Sequence, residues 1–205
     1  MKHIIIVFTF LPVFVFSQID DQKGFIFGLN YGFAQDISYT SEDVNEFSPD
    51  MSSEIFGSDK GYQLSIGYTF SDITFGIKFG KSNITGENTI EYHQSKFRER
   101  NLFAEYDILK RNKYILFLTG SFGSINYDSK RYLIYDDTEI PTNSPSGDAS
   151  KYNFGGGIKI LLTDYLLLTA STTMDVVDDD GFDGWDYGTN IDKFSYHSVG
   201  LRILF

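Results

Sequence analysis

Hydrophobic and polar residues alternate along most of this chain with a period of two, the spacing that predicts β-strands. In the first such segment, 24–34, every second residue is large and apolar or aromatic, from Phe25 to Phe33. Seven further segments repeat the pattern, at 62–70, 73–80, 101–108, 114–125, 152–162, 166–175 and 195–205. The chain therefore predicts eight strands, each close to the roughly 9–11 residues that cross a bilayer at a tilt.

The connections between these segments alternate strictly between short and long. Tight turns are predicted at 71–72, 111–112 and 163–164, and long polar stretches at 38–60, 81–96, 124–150 and 175–193. Transmembrane β-barrels have short turns on the periplasmic side and long loops on the outside of the cell. The pattern thus predicts an all-β, eight-stranded antiparallel up-and-down transmembrane barrel with four long extracellular loops.

A soluble barrel of the lipocalin kind is the alternative for the fold. Such a barrel would bury its large apolar residues inside, whereas here the opposite face carries small, polar and charged residues that cannot form a dry core. Only the fifth segment is less regular, because Ile115 and Phe117 fall on the inward face. The inward charges are predicted to form a network inside the barrel: Lys78, Glu105, Asp107, Lys159 and Arg202. Lys78 and Glu105, similarly far from their turns, are expected to meet.

The final segment also matches a known pattern of alternating residue types. Ser198, Gly200, Ile203 and Phe205 occupy the polar, glycine, apolar and aromatic places of the terminal signal of bacterial outer-membrane barrels. With this segment and its topology, the chain resembles the small outer-membrane β-barrel proteins of Gram-negative bacteria: the OmpA-like and OmpX-like transmembrane domains and the PorT-like barrels. The resemblance implies outer-membrane localisation, assembly by the barrel-assembly machinery, and contact with outer-membrane lipid and lipopolysaccharide.

The amino end has the order of a secretory signal peptide. Lys2 and His3 precede an apolar run, 4–16, and Ser17 and Gln18 form a plausible cleavage point. The run of about 13 residues is shorter than the roughly 20 that a membrane helix needs. We therefore expect a signal peptide at 1–17 and one barrel domain at 18–205, and the absence of cysteine excludes disulfides.

Charge is spread unevenly over the sequence, whose formal net charge is −11. The four long stretches contain 20 of the 28 acidic residues but only 6 of the 17 basic ones. An acidic chain of this kind is a poor partner for nucleic acid. The negative charge is expected in the extracellular loops, where it would face a surface ligand or simply keep the loops solvated.

The last loop holds the only candidate metal site. Its carboxylates are closely spaced among glycines, as a calcium ion seeking six to eight oxygen ligands requires. The candidate ligands are Asp178, Asp180, Asp183 and Asp186. The alternative is an unoccupied, solvated acidic loop, and no other cofactor is expected.

Catalytic chemistry is not expected. His197 and Ser198 are neighbours, but neighbouring strand residues point to opposite faces and cannot form a nucleophile–base pair. An eight-stranded barrel has room inside for little more than its own side chains. The sequence therefore predicts a non-enzymatic, monomeric outer-membrane anchor for acidic surface loops that serve adhesion, envelope integrity or surface binding. A narrow pore or accessory barrel of a transport or secretion system is the main alternative, followed by an outer-membrane lipid-modifying enzyme.

Overall fold

A computed structural model describes residues 23–38, 60–87, 91–135, 138–143, 146–179 and 192–205. All regular structure in these residues is β-strand. The strands are β1 (Lys23–Ser38), β2 (Lys60–Phe70), β3 (Ile73–Glu87), β4 (Glu91–Arg111), β5 (Tyr114–Tyr135), β6 (Thr138–Asn143), β7 (Ser146–Leu161), β8 (Leu166–Asp178) and β9 (Asp192–Leu204). No helix among the described residues is long and apolar enough to cross a membrane.

Eight of these strands form a closed antiparallel barrel. The order β4-β3-β2-β1-β9-β8-β7-β5 is completed by a pairing of β4 with β5, so each of the eight has a partner on both sides. The short strand β6 pairs only with the outer part of β5, from Arg131 to Tyr135, and is not one of the strands of the barrel wall. The prediction of an eight-stranded up-and-down barrel is confirmed.

One end of the barrel, here called the turn end, consists of tight connections. Ser71 and Asn112 have positive φ angles of 57° and 51°, a conformation that asparagine adopts more readily than most residues. The turn between β2 and β3 lies where the sequence predicted it. The turn between β4 and β5 lies at 112–113 rather than 111–112, because Arg111 still pairs with Tyr114.

At the opposite end, here called the loop end, several strands extend well beyond their predicted limits. β3 and β4 remain paired as far as Glu87 and Tyr92, so most of the predicted loop at 81–96 is a hairpin. β5 likewise runs to Tyr135. The alternation was hidden in these segments because the outward positions, such as Arg98, are polar there, while the inward face mixes polar residues such as Ser95 with apolar ones such as Phe97.

The two faces of the wall have opposite character, as predicted. Apolar side chains cover the outside, with Phe25 and Leu102 each 65% exposed. Exposed aromatic and aliphatic residues in a continuous band are the lipid-facing wall of a membrane barrel. The irregular fifth strand also follows the prediction, since Ile115 and Phe117 point inward and are fully or almost fully buried.

Candidate functional site

The barrel interior contains all of the buried lysine, arginine, aspartate and glutamate residues of the described chain. They comprise four cations and four anions, so their formal charges cancel. They are Lys78, Lys151, Lys159, Arg202, Glu99, Glu105, Asp107 and Asp175. Isolated charges of this kind would be too costly to bury, whereas paired and hydrogen-bonded ones can be tolerated.

The cluster nearer the turn end is organised around Glu105. Arg202 donates two hydrogen bonds to its carboxylate, from Nη1 to Oε2 at 2.5 Å and from Nη2 to Oε1 at 2.7 Å. Lys159 bridges two carboxylates, with Nζ 3.1 Å from Glu105 and 2.7 Å from Asp107. The pairs join β4 to β7 and β9, and β9 lies on the far side of the barrel from β4. This cluster therefore connects opposite sides of the barrel through its interior.

A rim pair continues this cluster to the turn end. Lys110 Nζ lies 3.8 Å from Asp107 and 2.8 Å from Asp72, whose side chain is about half exposed at 47%. The same ammonium donates to the backbone carbonyl of Ser71 at 3.0 Å. Lys110 thus connects the interior network to the tight turn between β2 and β3, a role that the sequence did not indicate.

Lys78 is the one member of the expected network that the structure does not join to a carboxylate. The register places Lys78 opposite Asn101, whereas Glu105 lies opposite Thr74. The expected pair with Glu105 is therefore not formed. The prediction assumed that residues equally far from their turns lie opposite one another. β3 and β4 do not share a turn, so the register between them is set by closure of the barrel instead. The Lys78 ammonium instead lies 5.4 Å from the ring centre of Phe103, a cation–π contact.

A second charged cluster lies nearer the loop end and was missed by sequence reasoning. Lys151 forms ion pairs with both Glu99 and Asp175. Gln63 and Asn101 donate to Glu99 at 2.6 and 3.0 Å. Lys151 and Asp175 lie at the margins of predicted loops, and Glu99 in an unassigned gap. Continuing the inward parity of β4 from Glu105 back by steps of two would have identified Glu99.

An apolar layer lies beyond this second cluster, toward the loop end. The rings of Phe97 and Phe194 approach from opposite walls, with centres 5.9 Å apart. Tyr127, in the same layer, donates a 2.6 Å hydrogen bond to Asp179 at the start of the last loop. The layer consists of Ala34, Ile84, Phe97, Ile125, Tyr127, Ala149, Val177, Phe194 and Tyr196. It separates the charged interior from the loops.

The candidate calcium ligands lie mostly beyond the described residues. Asp178 is exposed at the end of β8, and Asp180, Asp183 and Asp186 are not among the residues that the structure describes. In the part of the chain that is described, no group of three or more His, Cys, Asp or Glu side chains could hold a metal ion. The calcium site stays a prediction.

The residues of the terminal pattern lie on β9, where the barrel closes, except Phe205, which directly follows it. Phe205 exchanges backbone hydrogen bonds with Phe25, at 2.9 and 3.2 Å. The adjacent His197 and Ser198 point to opposite faces as expected. The ring of His197 lies 3.0 Å from the Thr172 hydroxyl on the outer face, and Ser198 meets Ser171 inside at 2.9 Å.

Comparison with known proteins shows the fold alone. No family model and no curated protein sequence matches the chain. Among solved structures it is similar to Neisserial surface protein A, with a TM-score of 0.56, 13% identity and coverage of 89% of this chain and 97% of that one. Two others are Ail, the attachment invasion locus protein of Yersinia pestis (0.47, 14%, 91% and 100%), and the amino-terminal barrel of Pseudomonas aeruginosa OprF (0.45, 15%, 88% and 99%).

The chain is therefore an outer-membrane β-barrel in fold. The closed eight-stranded architecture is that of small outer-membrane proteins, and the apolar outer wall requires lipid around it. Together these two observations place the protein in the outer membrane, as the sequence predicted.

Proposed function

We propose that the protein is a non-enzymatic anchor, whose barrel holds acidic loops at the cell surface. The observation that supports this function is the occupied interior. Two charge clusters and an apolar layer follow one another from the turn end to the loop end, and the Arg202–Glu105 pair spans the diameter. A solute path along the barrel axis would have to break these contacts, several of which are buried ion pairs.

The bonding pattern of the interior also supports a structural role over a catalytic one. Glu99 and Glu105 are each engaged by at least two donors within the wall. A general base or nucleophile needs access to its substrate, and these carboxylates are almost completely buried. His197, which does have partial access, faces the outer wall and contacts Thr172 rather than a carboxylate.

The binding role is assigned to the loops because two of them are strongly acidic. The stretches 39–59 and 180–191 together contain none of the basic residues and a large share of the acidic ones. Acidic loops fit a cationic partner: a basic protein patch, or divalent ions that bridge to anionic surface polymers. The partner would be met at the cell surface, and the barrel would act as a monomer, since a closed barrel has no free edge.

Two measurements test this function against the pore alternative. Purified, folded protein in planar bilayers should give no stepwise conductance, with a general porin as the positive control. Regular steps from the wild-type protein would overturn the anchor function in favour of a pore. In the second measurement, residues 39–59 and 180–191 are each replaced by short Gly-Ser linkers; binding of intact cells to basic protein or polymer surfaces should fall while the barrel stays folded. Unchanged binding would remove the role assigned to the loops.

A further inference from the structure

Three cations form a patch on the outer face of the barrel, immediately beyond the lipid-facing wall. Lys81 on β3 and Arg98 and Arg100 on β4 all point outward and are exposed. These three residues are here called the cationic patch. The next outward residues toward the turn end are Phe79 and Leu102, which belong to the apolar wall. The patch therefore lies at the height where the headgroups of the surrounding leaflet begin.

The cationic patch places like charges at neighbouring positions on the outer face. Lys81 lies directly opposite Arg98 in the β3–β4 ladder, and Arg100 is the next residue on the same face. Like charges that oppose one another across strands destabilise a sheet. Within the described residues, none of the three has a carboxylate at salt-bridge distance. An anion from outside the chain, lying between the three side chains, would offset this repulsion.

The rest of this margin is different. On β5, β7 and β8 the outward, exposed charged residues near the loop end are three acids, Asp128, Asp148 and Asp178, and one base, Lys130. Lys96, the next outward residue after Arg98, lies opposite Asp128, which offsets its charge. The outer face of the described barrel is thus cationic on the β3–β4 side and acidic around β5 to β8. An anion would be attracted more strongly to the β3–β4 side.

An apolar groove lies on the same strands, on the turn side of the cationic patch. It has a volume of about 470 Å³. Its floor is thin because Gly67 and Gly76 lie opposite one another and carry no side chains. Its walls are formed chiefly by Phe25, Ile66, Tyr68, Phe75, Ile77 and Leu102. Along β3, Ile77 in the groove is four residues from Lys81, or roughly 13 Å.

We propose that the cationic patch and the groove together bind one phosphorylated, acylated lipid of the leaflet at the loop end. The phosphate lies between Lys81, Arg98 and Arg100, and an acyl chain lies in the groove. Arginine guanidinium groups bind phosphate through paired hydrogen bonds. In such a lipid the phosphate lies at one end and the acyl chains extend from it into the membrane. The cationic patch and the apolar groove follow one another along the wall in the same order. A soluble phosphate would use the patch but leave the groove empty.

The test uses folded barrel purified in neutral detergent and native mass spectrometry to count bound lipid. The probes are a diacyl phosphatidate, a diacylglycerol without phosphate, and inorganic phosphate. The patch variant is K81Q/R98Q/R100Q. The matched control is R111Q/K113Q/K130Q, which loses the same charge from exposed positions elsewhere. Heat-modifiable mobility on gels confirms that each variant is folded.

Wild-type and control proteins should retain phosphatidate about equally, and the patch variant should bind it about tenfold or more weakly, the factor expected for one lost charged hydrogen bond. Diacylglycerol should bind weakly to all three. Equal retention by the patch variant would overturn the proposal, as would loss of phosphatidate from the wild type on addition of an equimolar amount of inorganic phosphate. A second variant, Ile77→Trp, fills the groove without changing charge and should also reduce retention; no reduction would contradict the acyl position.

Discussion

Arg202 and Glu105 form a two-pronged ion pair across the interior of the barrel, with nitrogen–oxygen distances of 2.5 and 2.7 Å. The two residues are 97 positions apart in sequence and lie on opposite walls. Their contact connects the closing strand β9 to β4, neither of which pairs with the other. The pair therefore constrains the cross-section of the barrel in a way that neighbouring strand pairs cannot.

The first prediction concerns the free energy contributed by this pair. Arg202→Met should lower the free energy of unfolding by about 3–5 kcal/mol, because it leaves the buried Glu105 carboxylate with Lys159 as its only cationic partner. Glu105→Gln should also lower the free energy of unfolding. The loss in the double variant should be smaller than the sum of the two single losses by at least about 1 kcal/mol. Denaturant unfolding of protein refolded in lipid or detergent measures this cycle. Additive costs would show that the two side chains do not interact energetically.

The rim pair provides the matched control for that cycle. Lys110 contacts Asp72, whose side chain is half exposed to solvent. Exposed ion pairs contribute only about 0–1 kcal/mol. Asp72→Asn should therefore change the free energy of unfolding far less than either substitution in the central pair.

The second prediction compares two interior lysines. Lys151 bonds to two carboxylates, whereas Lys78 makes a ring contact with Phe103. Lys151→Met should cost about 3–5 kcal/mol by leaving Glu99 and Asp175 facing each other without a cation. Lys78→Met should cost about 1–2 kcal/mol, the range of a desolvated cation–π contact. The midpoint of thermal unfolding ranks them, and a Lys78 variant as unstable as the Lys151 variant would contradict this account.

The third prediction concerns protease sensitivity at the loop end. Lys96, Arg98 and Arg100 are exposed trypsin sites, but all three lie in the paired β3–β4 hairpin. Trypsin added to intact cells should spare them, because cleavage needs a locally unpaired backbone. Proteinase K should cleave in the polar stretch 38–60, which was predicted to be a surface loop. Rapid tryptic cleavage after Arg98 would mean that the hairpin does not persist in the membrane.

The sequence allowed the fold to be predicted more completely than the interior contacts. Within the lipid, one face of each strand must be apolar, so the positions of Phe25 to Phe33 were sufficient to identify a strand. Beyond the lipid the outward face is polar and the inward face is mixed, with Phe97 between Ser95 and Glu99. The outer part of β4 was therefore assigned to a loop. The pairing of Arg202 with Glu105 depends on the stagger of strands that are not neighbours in sequence. Local periodicity contains no information about that stagger, and for the same reason Lys78 was paired with the wrong residue.

The fourth prediction separates packing from assembly at Gly200. This residue lies opposite Asn30 in the β1–β9 pairing that closes the barrel. A methyl group at Gly200 would lie 2.7 Å from Asn30 Cα, closer than real contacts allow. Gly200→Ala should therefore lower the free energy of unfolding by about 1–3 kcal/mol, the range for overpacking.

Gly120→Ala is the control, since its methyl group would be 3.6 Å from the nearest atom, the carbonyl oxygen of Asn153. Both variants should be refolded from denaturant into detergent, where no assembly machinery is present. A loss confined to Gly200→Ala would show that this glycine is required by the closed barrel itself, whereas normal stability in detergent with failed insertion in cells would assign it to recognition by the machinery.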